Sequence, residues 1–367
     1  MQKIQPASEK SRFDKELSEK LQLVSLISIF MVLLNHVQLP DIGLRRVVST
    51  MTRPNRVLFF GVAGFLFTFG FPFLKDRLFR KFSERAKNLL VPYLFTFVAG
   101  KLAVIVTLFL FPEEWLNKSQ VLGPIWNHGH LRWAALIHSK EAMHLWFLEG
   151  LMLAVVVYGA VLVSTGWNRA VHVALVGASL AGFYVVPAPH FQALLFFGSG
   201  TLLARRSSLL TSAGPGLAWT AAFGLVWGGC ILGSLSMTAA TKGSVASNTL
   251  LLFHSCIGAV FLWLAIDRIP DALRKVLAPF CPYVFPIYLL HFSLIWPLRK
   301  VALRFLDSSL VSNLAGVVVL VLLTAYGTFL LARGIETAFP SFAALWFGGR
   351  GAARQGPART AKVAAAP

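Results

Sequence analysis

The sequence predicts an all-α fold, a polytopic membrane helical bundle of about ten transmembrane helices with both termini cytoplasmic. Three observations lead there. Hydrophobic residues make up 56% of the 367 and charged residues only 13%, with a mean hydropathy of +0.68, a balance that no soluble globular class shows. Apolar runs recur along the chain, most of them near the ~20 residues a helix needs to cross a bilayer. The Lys and Arg residues sit mainly in short segments between those runs, so the net charge of +19 reads as a topology signal and not as a nucleic-acid-binding face. No nucleic-acid partner is expected. The runs are too long, and alternate too little, for the strands of an outer-membrane barrel.

In order, the predicted spans lie near Leu21–Leu39, Val57–Leu74, Val91–Phe111, Met143–Val163 and Ala170–Val186. They continue at Phe191–Ala204, Leu217–Met237, Thr249–Ile266, Phe280–Leu298 and Leu310–Ala332. The first is expected to be a retained anchor, since His36-Val37-Gln38-Leu39-Pro40 after it lacks a small-residue cleavage pattern. The sixth is short and punctuated by Gly198 and Gly200, which leaves the count at nine or ten. With the N-terminus inside, roughly two thirds of the basic residues fall on the cytoplasmic side. Arg45, Arg46, Arg53 and Arg56 run against that bias.

One membrane domain is expected over residues 21–335, after a cytoplasmic segment at 1–20 and before a basic tail at 348–367 whose composition predicts disorder. The connection from Pro112 to Ala142 carries Trp115, Trp126 and Trp133, suited to the membrane interface. Cys230, Cys256 and Cys281 have neither the spacing of a disulfide framework nor neighbours for a zinc site, so no metal is predicted.

This topology puts ionisable residues at similar depth in the outer half of the membrane. His36 lies about 5 Å, and His291 roughly 10 Å, inside the outer ends of the first and ninth spans, while His144 and Glu149 enter from the outer side on the fourth. Ionisable groups there are costly and mark functional sites, although helix-packing hydrogen bonds use histidine too. Position alone leaves His36 open between these readings and favours an interfacial place for His144. Glu149 needs a partner or a proton. Lys101 is either its counter-ion or part of a cavity wall, and His172, His190 and His254 read as packing or surface groups.

The segment Lys75–Asn88, predicted as a loop, is the densest basic stretch in the chain. It is either a positive-inside, lipid-attracting segment or a phosphate site in which arginine forks act with the positive end of the following helix.

Six short segments, in order along nearly the whole chain, resemble acyltransferase family three of integral membrane proteins. They are Ser28-Ile29-Phe30-Met31-Val32-Leu33-Leu34-Asn35-His36, Phe59-Phe60-Gly61-Val62-Ala63-Gly64-Phe65-Leu66, Arg85-Ala86-Lys87-Asn88-Leu89-Leu90-Val91-Pro92-Tyr93, Leu145-Trp146-Phe147-Leu148, Phe196-Phe197-Gly198-Ser199-Gly200 and Ile287-Tyr288-Leu289-Leu290-His291. Ala63 stands where the family commonly has Ser, and Glu149 where a basic or polar residue is frequent. Asn88 with Lys87 replaces the second arginine of the paired form.

The resemblance implies transfer of an acyl group, most often acetyl, from cytoplasmic acetyl-CoA or another acyl-CoA to a hydroxyl of an extracytoplasmic carbohydrate or glycolipid. It implies His36 as the essential residue, with Glu149 and His291 as catalytic partners. Arg77, Arg85, Lys87 and Tyr93 are the expected donor-binding residues, and Asn35, His144 and Trp146 the acceptor-binding ones. Membrane lipid and polysaccharide-synthesis machinery are the further expected partners, and the bacterial inner membrane the setting. The competing reading is a transporter or flippase for a lipid-linked sugar, which broken midplane helices and repeated halves would favour; neither is evident.

Overall fold

The computed structural model describes residues 7–37, 41–69, 75–110, 145–186, 188–206, 216–237, 244–302 and 309–349. The first long apolar run becomes α1, Ala7–His36, which ends on the histidine itself. Asp41 caps α2, Ile42–Met51, by accepting from Leu44 N, and Pro54 opens α3, Pro54–Thr68, where its missing N–H costs nothing.

The remaining elements follow the predicted spans closely. They are α4 Lys75–Leu110, α5 Trp146–Thr165, α6 Arg169–Val185, α7 Pro189–Ala204, α8 Leu217–Ser236, α9 Val245–Ala265, α10 Asp271–Leu277, α11 Val284–Ala302, α12 Leu310–Ala338 and α13 Pro340–Trp346. A 3₁₀ turn, Ala278–Tyr283, joins α10 to α11. Among the described residues, six helical stretches are long and apolar enough to cross a membrane. The molecule is a multi-pass all-α membrane protein.

The basic stretch departs from expectation. Lys75–Asn88 is not a loop but the first turns of α4, which runs unbroken for 36 residues. Its residues are mostly good helix formers with no glycine or proline before Pro92, so nothing stops the helix from extending past the apolar run. The helix N-terminus therefore lies at Lys75, roughly 15 Å by helical rise from Arg85, and its dipole falls off within a turn.

Burial sorts the helices into inner and outer ones. α7 is central: it packs most extensively on α3, and also on α5 and α6. Gly64 of α3 and Gly200 of α7 are explained by the crossing of those two helices. A Cβ at Gly64 would overlap Phe197 O, and one at Gly200 would overlap Gly61 O, so the two backbones touch through small residues, as close membrane helix pairs require. Tyr158 Oη adds a hydrogen bond to Leu194 O at 3.1 Å. By contrast α12 turns Val311, Val318, Leu322 and Leu323 outward, a face suited to lipid.

Several hydroxyls within the helices satisfy themselves locally. Ser28 Oγ donates to Val24 O at 2.8 Å, Thr324 to Leu320 O at 2.7 Å and Thr328 to Thr324 O at 2.7 Å. Each leaves no unmet polar group in an apolar medium. At the end where α1 begins, here called proximal, Lys20 Nζ meets Asp267 Oδ2 at 2.6 Å. The other end, where α1 stops at His36, is called distal.

Several predicted features lie outside the described residues: His144, the connection with Trp115, Trp126 and Trp133, and the tail from residue 350. The side chains of Arg77 and Lys101 do as well.

Candidate functional site

α1 packs against both α3 and α11, and that contact brings the two sequence-predicted histidines together. The rings of His36 and His291 stand 5.2 Å apart, tilted at 47°, and the edge of Phe292 faces His36 at 6.0 Å. His291 is fully buried. Its Nδ1 lies 2.6 Å from Tyr288 O, and since a carbonyl only accepts, Nδ1 carries the proton. The neutral ring then keeps its lone pair on Nε2, which fixes the tautomer. His36 is half-buried at the helix end.

Glu149 has a different hydrogen-bond partner. In the first turn of α5, it accepts a hydrogen bond from Tyr93 Oη of α4 at 2.9 Å. Among the described residues no hydrogen bond or ion pair joins it to either imidazole. The residue predicted for donor binding is thus the partner that this carboxylate needs. Asn35 is exposed and its Oδ1 lies 3.5 Å from Thr52 Oγ1. Trp146 is flanked by the guanidinium of Arg56, 5.0 Å from the ring centre, and by Phe60 at 6.3 Å.

A cavity of about 550 Å³ leads toward the histidines from the proximal end. α1 lines it with Leu17, Ser18, Leu21, Gln22 and Ser25, a stretch of about 12 Å by helical rise. Among the described residues Arg85 contributes the one basic side chain, and Lys87, exposed on another face of α4, is not in its wall. Phe59, Phe147 and Tyr288 also line it and form a run of ring contacts, with Phe59 to Phe147 at 5.1 Å and Phe147 to Tyr288 at 5.5 Å. Beyond Tyr288, one ring contact of 5.8 Å reaches His291. The cavity therefore has a cation along an otherwise mostly apolar wall and an aromatic cluster that leads by ring contact to the imidazole pair. Its size is that of an organic-ligand site.

Sequence reasoning did not single out that aromatic cluster, because aromatic residues in apolar runs look like any core. Nor did it single out Arg53 and Arg56, which line a smaller distal pocket with Gln192 and Asn248. The signal was present in their place against the positive-inside bias.

Of the remaining histidines, His254 is buried with Ser234 Oγ at 3.4 Å, His172 stacks near Trp167 at 4.4 Å, and His190 is exposed. All three are remote in contact from His36.

The family model described as an acyltransferase domain, that of acyltransferase family 3, matches residues 20–333. No curated protein and no solved structure matches the chain. The family match runs from Lys20 within α1 through most of α12 and takes in the paired histidines, the basic turns of α4 and most of the residues that line the cavity, so the chain belongs to acyltransferase family 3 and is an integral membrane O-acyltransferase.

Proposed function

We propose that this enzyme moves an acyl group, acetyl by family resemblance, from a cytoplasmic coenzyme A thioester to a hydroxyl of an extracytoplasmic carbohydrate or glycolipid, in a bacterial inner membrane. One observation carries the reading. The cavity that Arg85 lines is also lined by Tyr288, whose ring is 5.8 Å from His291, itself 5.2 Å from His36. A thioester arm entering from the proximal end is thereby aimed at the imidazole pair. The charge bias of the sequence assigns that end to the cytoplasm.

In this reading Arg85 holds a phosphate of the donor through charge-assisted hydrogen bonds, and the apolar wall takes the pantetheine arm. His36 removes the proton of the acceptor hydroxyl as its oxygen bonds to the thioester carbonyl carbon. The carbon–sulfur bond then breaks, and the proton returns to the departing thiolate. His291 acts as a positioning residue: its proton is committed to Tyr288 O, so its ring orientation is fixed beside His36. Glu149, held by Tyr93, shapes the wall of α4 and α5. A two-step route, in which His36 is first acylated, differs in one observable, since only that route releases coenzyme A in a burst without acceptor.

The test is the acyl content of total cell-surface glycans, measured by mass spectrometry in cells carrying the wild-type chain, none, or His36→Ala at equal membrane abundance. One acyl modification is expected to vanish in the null and the mutant together, a loss of at least about 10²–10³-fold for removal of the base. An identical acyl profile in all three cell lines overturns the reading.

A further inference from the structure

Two arginines at the distal end have no place in the chemistry above. Arg53 ends the connection from α2, and Arg56 lies in the first turn of α3, three residues on and hence on the same side. Both line a pocket of about 200 Å³ with the side chains of Gln192, Asn248 and Ser255, over apolar neighbours that include Phe183 and Phe196. Arg53 Nε is fully buried with no hydrogen-bond partner. Burial lowers the pKa of this guanidinium from its ordinary value, the mark of a charge stripped of water without compensation. Arg56 donates to Gln192 Oε1 at 3.0 Å and lies over Trp146. Among the described residues no carboxylate pairs with either arginine.

Two cations set into a largely buried cleft without a counter-charge are unfavourable unless an anion completes the site. Planar guanidinium forks match carboxylate and phosphate oxygens. The surrounding amides and hydroxyl add neutral donors, and the phenylalanines offer an apolar face to a sugar ring. The pocket is also tied to the catalytic pair. Thr52, next to Arg53, contacts Asn35, the neighbour of His36, and Arg56 lies on Trp146, whose ring meets Phe147 of the cavity wall at 6.3 Å.

We infer that the Arg53–Arg56 pocket binds an oxyanion, carboxylate or phosphate, carried by the acceptor, so that the enzyme acts on an acidic or phosphate-bearing saccharide whose hydroxyl is thereby placed at His36. This rests on the function proposed above for its acceptor, while the pocket itself stands on its own geometry.

The test uses the full chain in lipid nanodiscs and calorimetric titration with four probes: glucose, glucuronate, glucose 1-phosphate and inorganic phosphate. Glucuronate or glucose 1-phosphate is expected to bind at least about tenfold more tightly than glucose; which of the two is preferred identifies the anion. Arg53→Gln and Arg56→Gln are each expected to remove that preference while affinity for acyl-CoA is unchanged. The comparison among probes needs only the wild-type chain, so a variant that misfolds does not spoil it. Glucose binding as tightly as both its acidic counterparts overturns the inference. Inorganic phosphate matching the tighter of the two acidic sugars also overturns it, because the site is then one for a free ion. Anion-selective sugar binding without any acyl transfer refutes the enzymatic reading and leaves the pocket standing. Equal transfer rates to acidic and neutral acceptors refute the pocket's role and leave the enzyme standing.

Discussion

Tyr93 donates to Glu149 at 2.9 Å, and this pair shows how much a single neighbour decides at the residue scale. Glu149 is a carboxylate a turn into an apolar helix, and the hydroxyl from α4 is its one described hydrogen bond. Removing it with Tyr93→Phe is expected to destabilise the protein by about 1–3 kcal/mol, the cost of a partly buried acceptor left unmet. Glu149→Gln in that background should recover part of the loss, giving a measurable coupling in a double-mutant cycle of thermal unfolding in detergent. Glu149→Gln alone should change stability more than kcat; a loss of turnover comparable with that of His36→Ala would instead make Glu149 a direct participant. His36 and His291 differ from this pair because each meets the other across α1 and α11. Their residue types and depths could be read from the sequence. Their adjacency could not, since nothing local says which helices touch.

At the scale of elements, the α3–α7 crossing and the basic turns of α4 carry separate expectations. Gly64 and Gly200 allow main chain to meet main chain, so Gly64→Ala should force the helices apart and cost about 1–3 kcal/mol from overpacking. The control is Gly100, in α4 with nothing within 4 Å of an added Cβ; Gly100→Ala should be neutral or stabilising by up to ~1 kcal/mol. Thermal unfolding and membrane yield of the two variants separate these outcomes. For the donor site, Arg85→Glu should raise KM for acyl-CoA by about tenfold or more with a smaller change in kcat, through loss of a charge-assisted contact. Lys87→Glu should have a lesser effect, because Lys87 is exposed and outside the cavity wall. Within the described residues the ten apolar runs are largely helical, as hydropathy dictates. The extension of α4 through Lys75–Asn88 was hidden because a charge-rich amphipathic stretch has the same composition in a loop or in a helix.

For the whole molecule, the decisive arrangement is an apolar cavity entering from one end and a charged pocket at the other, with the histidine pair between them. Their sidedness has a direct check. Lys15→Cys, at the proximal end of α1, and Ile42→Cys, 71% exposed on α2, are introduced singly after the native cysteines are replaced. A membrane-impermeant maleimide applied to intact cells should label Ile42→Cys and leave Lys15→Cys unlabelled until the membrane is opened. The reverse pattern would place the cavity mouth outside and refute a cytoplasmic donor.

The sequence by itself determined that this chain is a helical membrane bundle, because each apolar run must satisfy its own backbone in lipid and only a helix does so within a single segment. It also determined the family, through short segments in fixed order, and marked His36, Glu149, His291 and the basic stretch by the cost of charge near apolar surroundings. Only the tertiary structure decided which of these groups meet. It joined His36 to His291 and Glu149 to Tyr93, it set Arg85 and not Lys87 in the cavity wall, and it collected two overlooked arginines into one pocket. The reason is that helix-to-helix contacts in a membrane depend on shape and on small-residue crossings such as Gly64 with Phe197 and Gly200 with Gly61, and hydropathy is blind to both.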